Sequence, residues 1–391
     1  MDQRQQHPKH QLRLAQAAGL ALSTAIAGVQ AQQAPAPAAP GLQAEGWQQC
    51  SRLSVDPAAR LACFDAWAQS QPAGTSSTPV TQAAPAVAAP TALAAAPTES
   101  PTQNCKAGHF SSLSRFWELE NASDCGTFTL RGYRPISLSL TSANSVNRQP
   151  TSGNPANNAS TAQDYQHGET RIQLSVRTKL AQNMLTQGDG VKKDSIWFGY
   201  TQQSYWQVFN KELSRPFRNT DHEPEVVYIY PSDATLPFGW RLRYSGAALT
   251  HQSNGQSLPL SRSWNRVSLM AGMEKGNDFT LTGRIWKRVQ EKAAVDDNPN
   301  ITDYVGRAEL TGAWNFDAQN TFLATARHAL RSNGRGSLRL EWLRAIGTSS
   351  NPTVGSGLRF HTQLFTGYGD SLIDFNRRRT VLNVGLSLVD F

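Results

Sequence analysis

Apolar and polar residues alternate along the chain from Thr127 to its end. Leucine, isoleucine and phenylalanine alternate there with serine, threonine and arginine, as at residues 136–140, 171–177 and 358–364. Because successive side chains of a β-strand point to opposite faces, this period of two predicts strands with one apolar and one polar face. The pattern gives twelve strands, at residues 127–142, 169–182, 193–209, 223–231, 239–252, 263–274, 278–289, 303–316, 319–330, 335–345, 357–369 and 379–391.

Two all-β architectures fit an even number of antiparallel strands. In a soluble sandwich the apolar faces form the core, whereas in a transmembrane β-barrel they face lipid and the charges line the interior. Only 39% of residues are hydrophobic, and no run of about 18 apolar residues follows the first 31 positions, which argues against membrane-spanning helices. The export signal described next and the Trp and Tyr residues near strand ends favour a 12-stranded antiparallel transmembrane β-barrel.

The N-terminal region has the pattern of an exported protein. Lys9 and Arg13 precede an Ala/Leu-rich stretch that ends in Val29-Gln30-Ala31, which predicts a secretory signal peptide. A buried helix is the alternative. An Ala/Pro-rich linker that cannot bury a core follows a small cysteine-containing unit, and the two would form a periplasmic extension. The predicted signal peptide, unit with linker, lead-in segment and barrel span residues 1–31, 32–104, 105–126 and 127–391.

Four cysteines precede the predicted barrel, at Cys50, Cys63, Cys105 and Cys125. None has the CxxC spacing of a metal site. An even number of cysteines in an exported chain predicts disulfides, for which three connectivities exist. Local pairing, Cys50 with Cys63 and Cys105 with Cys125, is the expectation, and four free thiols are the alternative.

The chain carries a net charge of +8, from 37 basic and 29 acidic residues. A basic protein can bind nucleic acid, but its basic residues are scattered and form no cluster with aromatic residues. We therefore expect no nucleic-acid partner. Anionic headgroups of the surrounding membrane lipid are the expected partners of this charge.

The stretch at residues 249–266 combines three residue types that can form a catalytic triad. His251 and Ser253 lie two residues apart, so on one strand they point to the same side. A turn-rich segment then returns the chain, which brings Asn265 onto the neighbouring antiparallel strand. In a triad Ser253 would be the nucleophile, His251 the general base and Asn265 the group that orients the imidazole. The alternative is ordinary polar loop chemistry.

Strand parity predicts where this hairpin lies. If the first strand rises from the periplasm, the loops after odd-numbered strands face outward. The loop after the fifth strand offers the backbone N–H groups of Asn254 and Gly255 as candidate oxyanion donors. The loop after the seventh strand contains Asp296 and Asp297. The nucleophile and the acidic pair are therefore expected close together, at the level of the outer leaflet.

The 249–266 stretch resembles the active-site hairpin of the outer membrane phospholipase A family. Four further segments resemble that family in the same order, at Tyr200–Asn210, Ser214–Pro224, Asp296–Gly306 and Gly367–Asn376. The resemblance covers roughly residues 127–391. It implies a calcium-dependent phospholipase of the bacterial outer membrane that hydrolyses sn-1 and sn-2 acyl esters of phospholipids and lysophospholipids. A non-catalytic structural barrel or narrow pore of the same fold is the alternative.

The same resemblance implies a set of calcium ligands. They are the Ser261 side chain, the Gln256 carbonyl and, from the partner subunit, the Ser214 carbonyl. Oxygen ligands of this kind suit Ca²⁺. Asp297 resembles a second calcium position of the family. In the family, a second carboxylate completes this calcium position, but this chain has Leu258 there. The resemblance therefore does not imply a calcium site in the monomer.

Gln202 is predicted to face lipid, because it shares its parity with the apolar residues of the third strand. An amide in that position is costly unless it has a partner. The resemblance implies that a homodimer, the active form, buries it against a second subunit. The alternative is that the parity is wrong and that Gln202 faces the interior.

Overall fold

The computed structural model describes residues 50, 56–69, 105, 108–332, 334–347 and 357–388. The predicted signal peptide, the predicted linker and the C-terminal Phe391 lie outside this part of the chain. The chain divides into two compact units, residues 1–92 and 93–391. The four-part division at residues 31, 104 and 126 stays a prediction.

The first unit contains helix α1, Pro57–Gln69. Asp56 begins it, because its Oδ1 accepts hydrogen bonds from the N–H groups of Ala58 and Ala59 at 3.0 and 3.1 Å. A disulfide joins Cys50 to Cys63, and a second joins Cys105 to Cys125 in the other unit. The predicted local pairing is confirmed. Neither described α-helix has the length and apolar run needed to cross a membrane.

The second unit is a closed antiparallel barrel. Strands β1 and β2 pair with successive parts of β3, so they act as one interrupted strand, and β2 then pairs with β13 to close the ring. The predicted twelve-stranded barrel is confirmed. The described strands are β1 (Leu130–Gly132), β2 (Ile136–Ala143), β3 (Gly168–Gln182), β4 (Ser195–Trp206), β5 (Asn219–Thr235), β6 (Arg241–Ser253), β7 (Ser263–Lys275), β8 (Phe279–Arg288), β9 (Ala308–Asn315), β10 (Asn320–His328), β11 (Gly336–Ala345), β12 (Leu358–Gly367) and β13 (Arg379–Leu388).

The two faces of the barrel wall have the polarity of a membrane protein. On β2, Leu138 and Leu140 are 56% and 59% exposed, whereas Ser139 between them is 3% exposed. The same arrangement recurs around the ring, with leucine, valine and aromatic side chains outside and charged side chains buried. In a water-soluble protein the apolar side chains would be buried and the charged side chains exposed. The apolar faces therefore meet lipid, as expected of a transmembrane barrel.

Paired charges fill the barrel interior. Glu223 contacts Arg134 at 2.7 Å and Arg266 at 2.8 Å, and Glu225 contacts Arg284 at 2.9 Å. A buried charge is tolerated when it is paired, because pairing offsets its loss of hydration. Arg134 and Glu223 also line a polar cavity of about 30 Å³, which has room for one or two water molecules.

The lead-in segment packs inside the barrel, at the end opposite the 254–262 loop. It contains helix α2, Ser112–Trp117. Trp117 is 3% exposed, and its ring lies 5.7 Å from that of Trp197 and 5.9 Å from that of Tyr244. The next residue, Glu118, forms buried ion pairs with Arg131 and Lys179. This end of the barrel is closed by aromatic packing and ion pairs.

Candidate functional site

The hairpin of β6 and β7 brings two of the predicted triad residues together. His251 and Asn265 lie directly opposite each other in the strand register. Both lie on the outward face, in line with Leu249, which is 61% exposed, and with Leu269. The imidazole Nδ1 of His251 lies 2.8 Å from the Asn265 side-chain oxygen.

This hydrogen bond selects one tautomer of His251. An amide oxygen can only accept, so the Nδ1 of His251 must carry the proton. In the neutral ring, Nε2 is then unprotonated and available as a base. The Asn265–His251 pair therefore has the arrangement that general-base catalysis requires.

Ser253 lies on the same strand, at its last residue, and is half-buried. Its register partners are Ser263 on β7 and His222 on β5. Among the described residues, no hydrogen bond joins the Ser253 hydroxyl to His251. Contacts between a nucleophile and its base are often loose before substrate binds.

The 254–262 loop is held by Asn254, whose side chain is buried. Its Oδ1 accepts the Arg262 N–H at 2.9 Å, and its Nδ2 donates to the Leu260 carbonyl at 2.8 Å. The Asn254 backbone N–H also donates within the loop, to the Arg262 carbonyl at 3.0 Å. That donor is therefore already used. Of the two predicted oxyanion donors, only the Gly255 N–H has no hydrogen-bond partner among the described residues.

Asp297 joins the 254–262 loop to the loop after β8. Its carboxylate accepts hydrogen bonds from the hydroxyls of Ser261 and Ser263, at 2.7 and 3.0 Å, and from the Asn157 side chain at 3.1 Å. The two outer loops therefore meet, as strand parity predicts. Asp296 points elsewhere, because Arg288 pairs with it at 2.5 Å.

Arg262 fixes the base of this loop. Its guanidinium donates to the carbonyls of Ser261 and Asn157, at 2.7 and 2.9 Å. Burial lowers the pKa of Arg262 to about 10, and the nearby Asp297 opposes that shift. Arg262 therefore remains charged at neutral pH.

The other residues predicted as calcium ligands offer oxygen atoms. The Gln256 side chain donates to the Arg218 carbonyl at 3.3 Å, and no hydrogen bond among the described residues uses the Gln256 carbonyl. The Ser214 carbonyl accepts the Trp206 indole N–H at 2.6 Å and keeps a second lone pair. Three or more His, Cys, Asp or Glu residues do not cluster anywhere in the described part of the chain. The donor set, hydroxyl, carbonyl and one carboxylate, nevertheless fits a hard cation such as Ca²⁺.

Gln202 faces outward on β4, as parity predicts, and its register partner on β5 is His222. Its amide is hydrogen-bonded within the subunit: the Tyr200 hydroxyl donates to it at 3.1 Å, and it donates to the Ser204 hydroxyl at 3.2 Å. The Tyr200 hydroxyl also lies 2.7 Å from the His222 Nδ1. A polar group of four side chains therefore faces outward beside Ser253.

The sequence pattern does not indicate two residues that lie next to the predicted triad. Glu291 accepts a hydrogen bond from the Asn265 amide at 3.2 Å, but it lies in a loop with no periodic pattern. His222 lies on β5, which begins at Asn219, four residues before the predicted start. Acidic residues occupy every second position there, on the inward face. If this alternation is taken as part of the strand, His222 falls on the outward face, beside Ser253.

Comparison with known proteins gives a consistent result. The family model described as Phospholipase A1 matches residues 113–388. Phospholipase A1 of Escherichia coli strain K12 is 32% identical over 263 residues, which is 67% of this chain and 82% of that protein. The structure of outer membrane phospholipase A from E. coli aligns with a TM-score of 0.57 and 31% identity, over 68% of this chain and all of the other. The calcium-bound dimer of the Salmonella typhi enzyme aligns with a TM-score of 0.57 and 29% identity, over 67% and 93%.

Proposed function

The chain belongs to the phospholipase A1 family, enzymes of the bacterial outer membrane, and we propose that it hydrolyses acyl esters with a Ser253–His251–Asn265 triad. The proposed substrates are phospholipids and lysophospholipids, cleaved at sn-1 and sn-2. The 2.8 Å hydrogen bond between His251 and Asn265 carries the proposal. It pairs a base with its orienting group on a face that also carries Leu249, where a lipid ester is the available substrate.

The reaction follows the chemistry of a hydroxyl nucleophile. Ser253 Oγ attacks the ester carbonyl while His251 Nε2 accepts its proton. The Gly255 N–H faces the developing oxyanion. The imidazolium then protonates the departing lysolipid alkoxide, and the acyl group stays on Ser253. Water, deprotonated by His251, attacks the acyl-enzyme and releases the fatty acid.

A neutral orienting group suits this location. Asn265 lies on the outward face with Leu269. An aspartate there would place an additional anion next to lipid, where hydration is poor. An asparagine can hydrogen-bond the ring without adding that anion to the strand, and the imidazolium forms only transiently.

A calcium ion is part of the proposal. Ser261, Gln256 and, in a dimer, Ser214 of the partner subunit would hold it, with Asp297 beside Ser261 at 2.7 Å. When bound, the ion would supply positive charge next to the developing oxyanion. Because the ligands come from two subunits, calcium and dimerisation must favour each other by the same factor.

The alternative of a narrow pore has less support. The interior holds paired charges and a cavity of about 30 Å³. The lead-in segment packs across one end, where Trp117 contacts Trp197 and Tyr244. Neither feature suits the passage of a solute.

Hydrolysis of a labelled phospholipid by the purified protein tests the proposed function. In mixed micelles with calcium, we expect free fatty acid and lysophospholipid, followed by slower loss of the lysophospholipid. Labels at sn-1 and sn-2 report the positional preference. A protein that shows the heat-modifiable migration of a folded barrel and releases no fatty acid would contradict the proposal and favour a structural role.

The Gln202→Leu variant tests the proposed dimer. Gln202 faces outward, and its side-chain amide is available to a second subunit when it leaves Tyr200 and Ser204. Leucine is stable against lipid and has no amide, so we expect less cross-linked dimer in detergent with calcium and a substrate analogue. Thr362→Leu is the matched control, because Thr362 faces outward on β12, away from β4. Equal cross-linking of both variants would exclude Gln202 from the interface.

A further inference from the structure

We propose that Glu291 is a fourth member of this catalytic arrangement, a positioning residue that acts on His251 through Asn265. The inference rests on the proposed function, because it concerns the same triad. A continuous chain of hydrogen bonds carries it. Glu291 Oε1 accepts from the Asn265 amide nitrogen at 3.2 Å, and the Asn265 amide oxygen lies 2.8 Å from His251 Nδ1.

The chemistry of an amide explains why a fourth group is needed. The two ends of the Asn265 side chain have nearly the same shape, but one end accepts and the other donates. If the nitrogen faced His251, the ring Nδ1 would have to accept, and Nε2 would carry the proton. Such a ring cannot take the proton of Ser253. Asparagine by itself therefore does not determine which tautomer His251 adopts.

A carboxylate removes this ambiguity. An ionised carboxylate only accepts hydrogen bonds, so Glu291 requires the nitrogen of Asn265 on its side. The amide oxygen must then face His251, Nδ1 must hold the proton, and Nε2 must be free. An aspartate triad needs no such group, because both of its oxygen atoms accept.

Glu291 is held in place independently of His251. The Val289 N–H donates to the Asn265 carbonyl at 2.8 Å, which extends the pairing of β8 with β7 past Arg288. The second carboxylate oxygen of Glu291 lies 3.7 Å from Arg288. The Glu291 side chain is only 20% exposed.

The contacts of Glu291 indicate how it acts. Its hydrogen bond to the Asn265 amide is its direct contact with the proposed triad. Its main effect is therefore to orient that amide. We expect a loss of Glu291 to lower kcat and leave KM unchanged, because Glu291 does not contact the lipid.

Kinetics of Glu291→Ala, Glu291→Gln, Asn265→Ala and the Glu291→Ala/Asn265→Ala double variant test the inference. We expect Glu291→Ala to lower kcat about tenfold, the scale of one lost hydrogen bond to a charged group. Glu291→Gln should lie between Glu291→Ala and the unaltered protein, because its amide oxygen can accept from Asn265 but its nitrogen can also donate, so it fixes the Asn265 amide only in part. In the double variant, the loss of Glu291 should add nothing to the loss of Asn265, because the two residues act as one unit. Glu212→Ala is the control, because Glu212 is likewise a glutamate of an outer loop, although it is exposed.

These measurements distinguish a failure of the proposed triad from a failure of the Glu291 inference. If Asn265→Ala is as active as the unaltered protein, the triad itself fails. If Asn265→Ala is impaired while Glu291→Ala is not, or if the two losses multiply, the Glu291 inference is overturned and the triad stands. A change in KM without a change in kcat would also overturn it, since that result indicates a role in lipid binding. Heat-modifiable migration verifies that each variant is folded.

Discussion

Replacement of Ser253 by alanine is expected to lower ester hydrolysis by roughly 10³-fold or more, the usual cost of removing a nucleophile. Alanine cannot form the acyl-enzyme, and the loss should appear in kcat. Ser253 is half-buried at the end of β6, and no hydrogen bond among the described residues uses its hydroxyl. Truncation should therefore leave the barrel intact.

Ser245→Ala is the matched control, because Ser245 lies on the outward face of the same strand, away from the 254–262 loop. It should retain full activity. The measurement is fatty acid release from mixed micelles, with heat-modifiable migration as the check on folding. Activity of Ser253→Ala within tenfold of the unaltered protein would exclude Ser253 as the nucleophile.

Removal of calcium has the second largest expected effect, a loss of about 10²-fold or more, comparable with the removal of an oxyanion donor. The reason is the small number of backbone donors that can stabilise the oxyanion without the ion. Asn254 already uses its N–H within the loop, so only the Gly255 N–H is available to the oxyanion. A site with one backbone donor should depend strongly on added positive charge.

The measurement is the hydrolysis rate during titration with a chelator, followed by recovery with calcium. Ser261→Ala should require a higher calcium concentration for half-maximal activity, whereas Ser257→Ala, in the same loop and exposed, should not. Sedimentation of the protein with and without the ion reports the dimer. Full activity of a monomer in chelator would contradict both the calcium ligands and the shared site.

The fold was predictable because lipid imposes a strict pattern on each strand. Leu138 and Leu140 face outward and Ser139 faces inward, so a period of two is enough to find β2. The same parity places Ser253 and Asp297 at one end of the barrel, and their loops do meet there through Ser261. The period of two does not reveal a function. The family model and the related structures show that the barrel belongs to an enzyme family.

Other features depend on contacts that no local pattern carries. The start of β5 is missed because Asn219 and Asp221 look like loop residues. In the fold, Asn219 donates to one oxygen of the Asp221 carboxylate, and the Leu372 N–H, from a distant loop, donates to the other. The lead-in segment is short and polar, and its burial of Trp117 depends on partners about 80 or more residues away in sequence. Glu291 reaches Asn265 from an aperiodic loop, so only the folded hairpin reveals the contact.

The outward position of His251 and Leu249 has a consequence for how the enzyme meets its substrate. A cleft in a soluble enzyme collects molecules from a volume of water, and its rate follows bulk concentration. A site on the barrel wall collects lipids that diffuse sideways within one leaflet. Its rate should follow the mole fraction of substrate in that leaflet, and dilution of the lipid with an inert detergent should slow it even when the total amount of lipid stays constant.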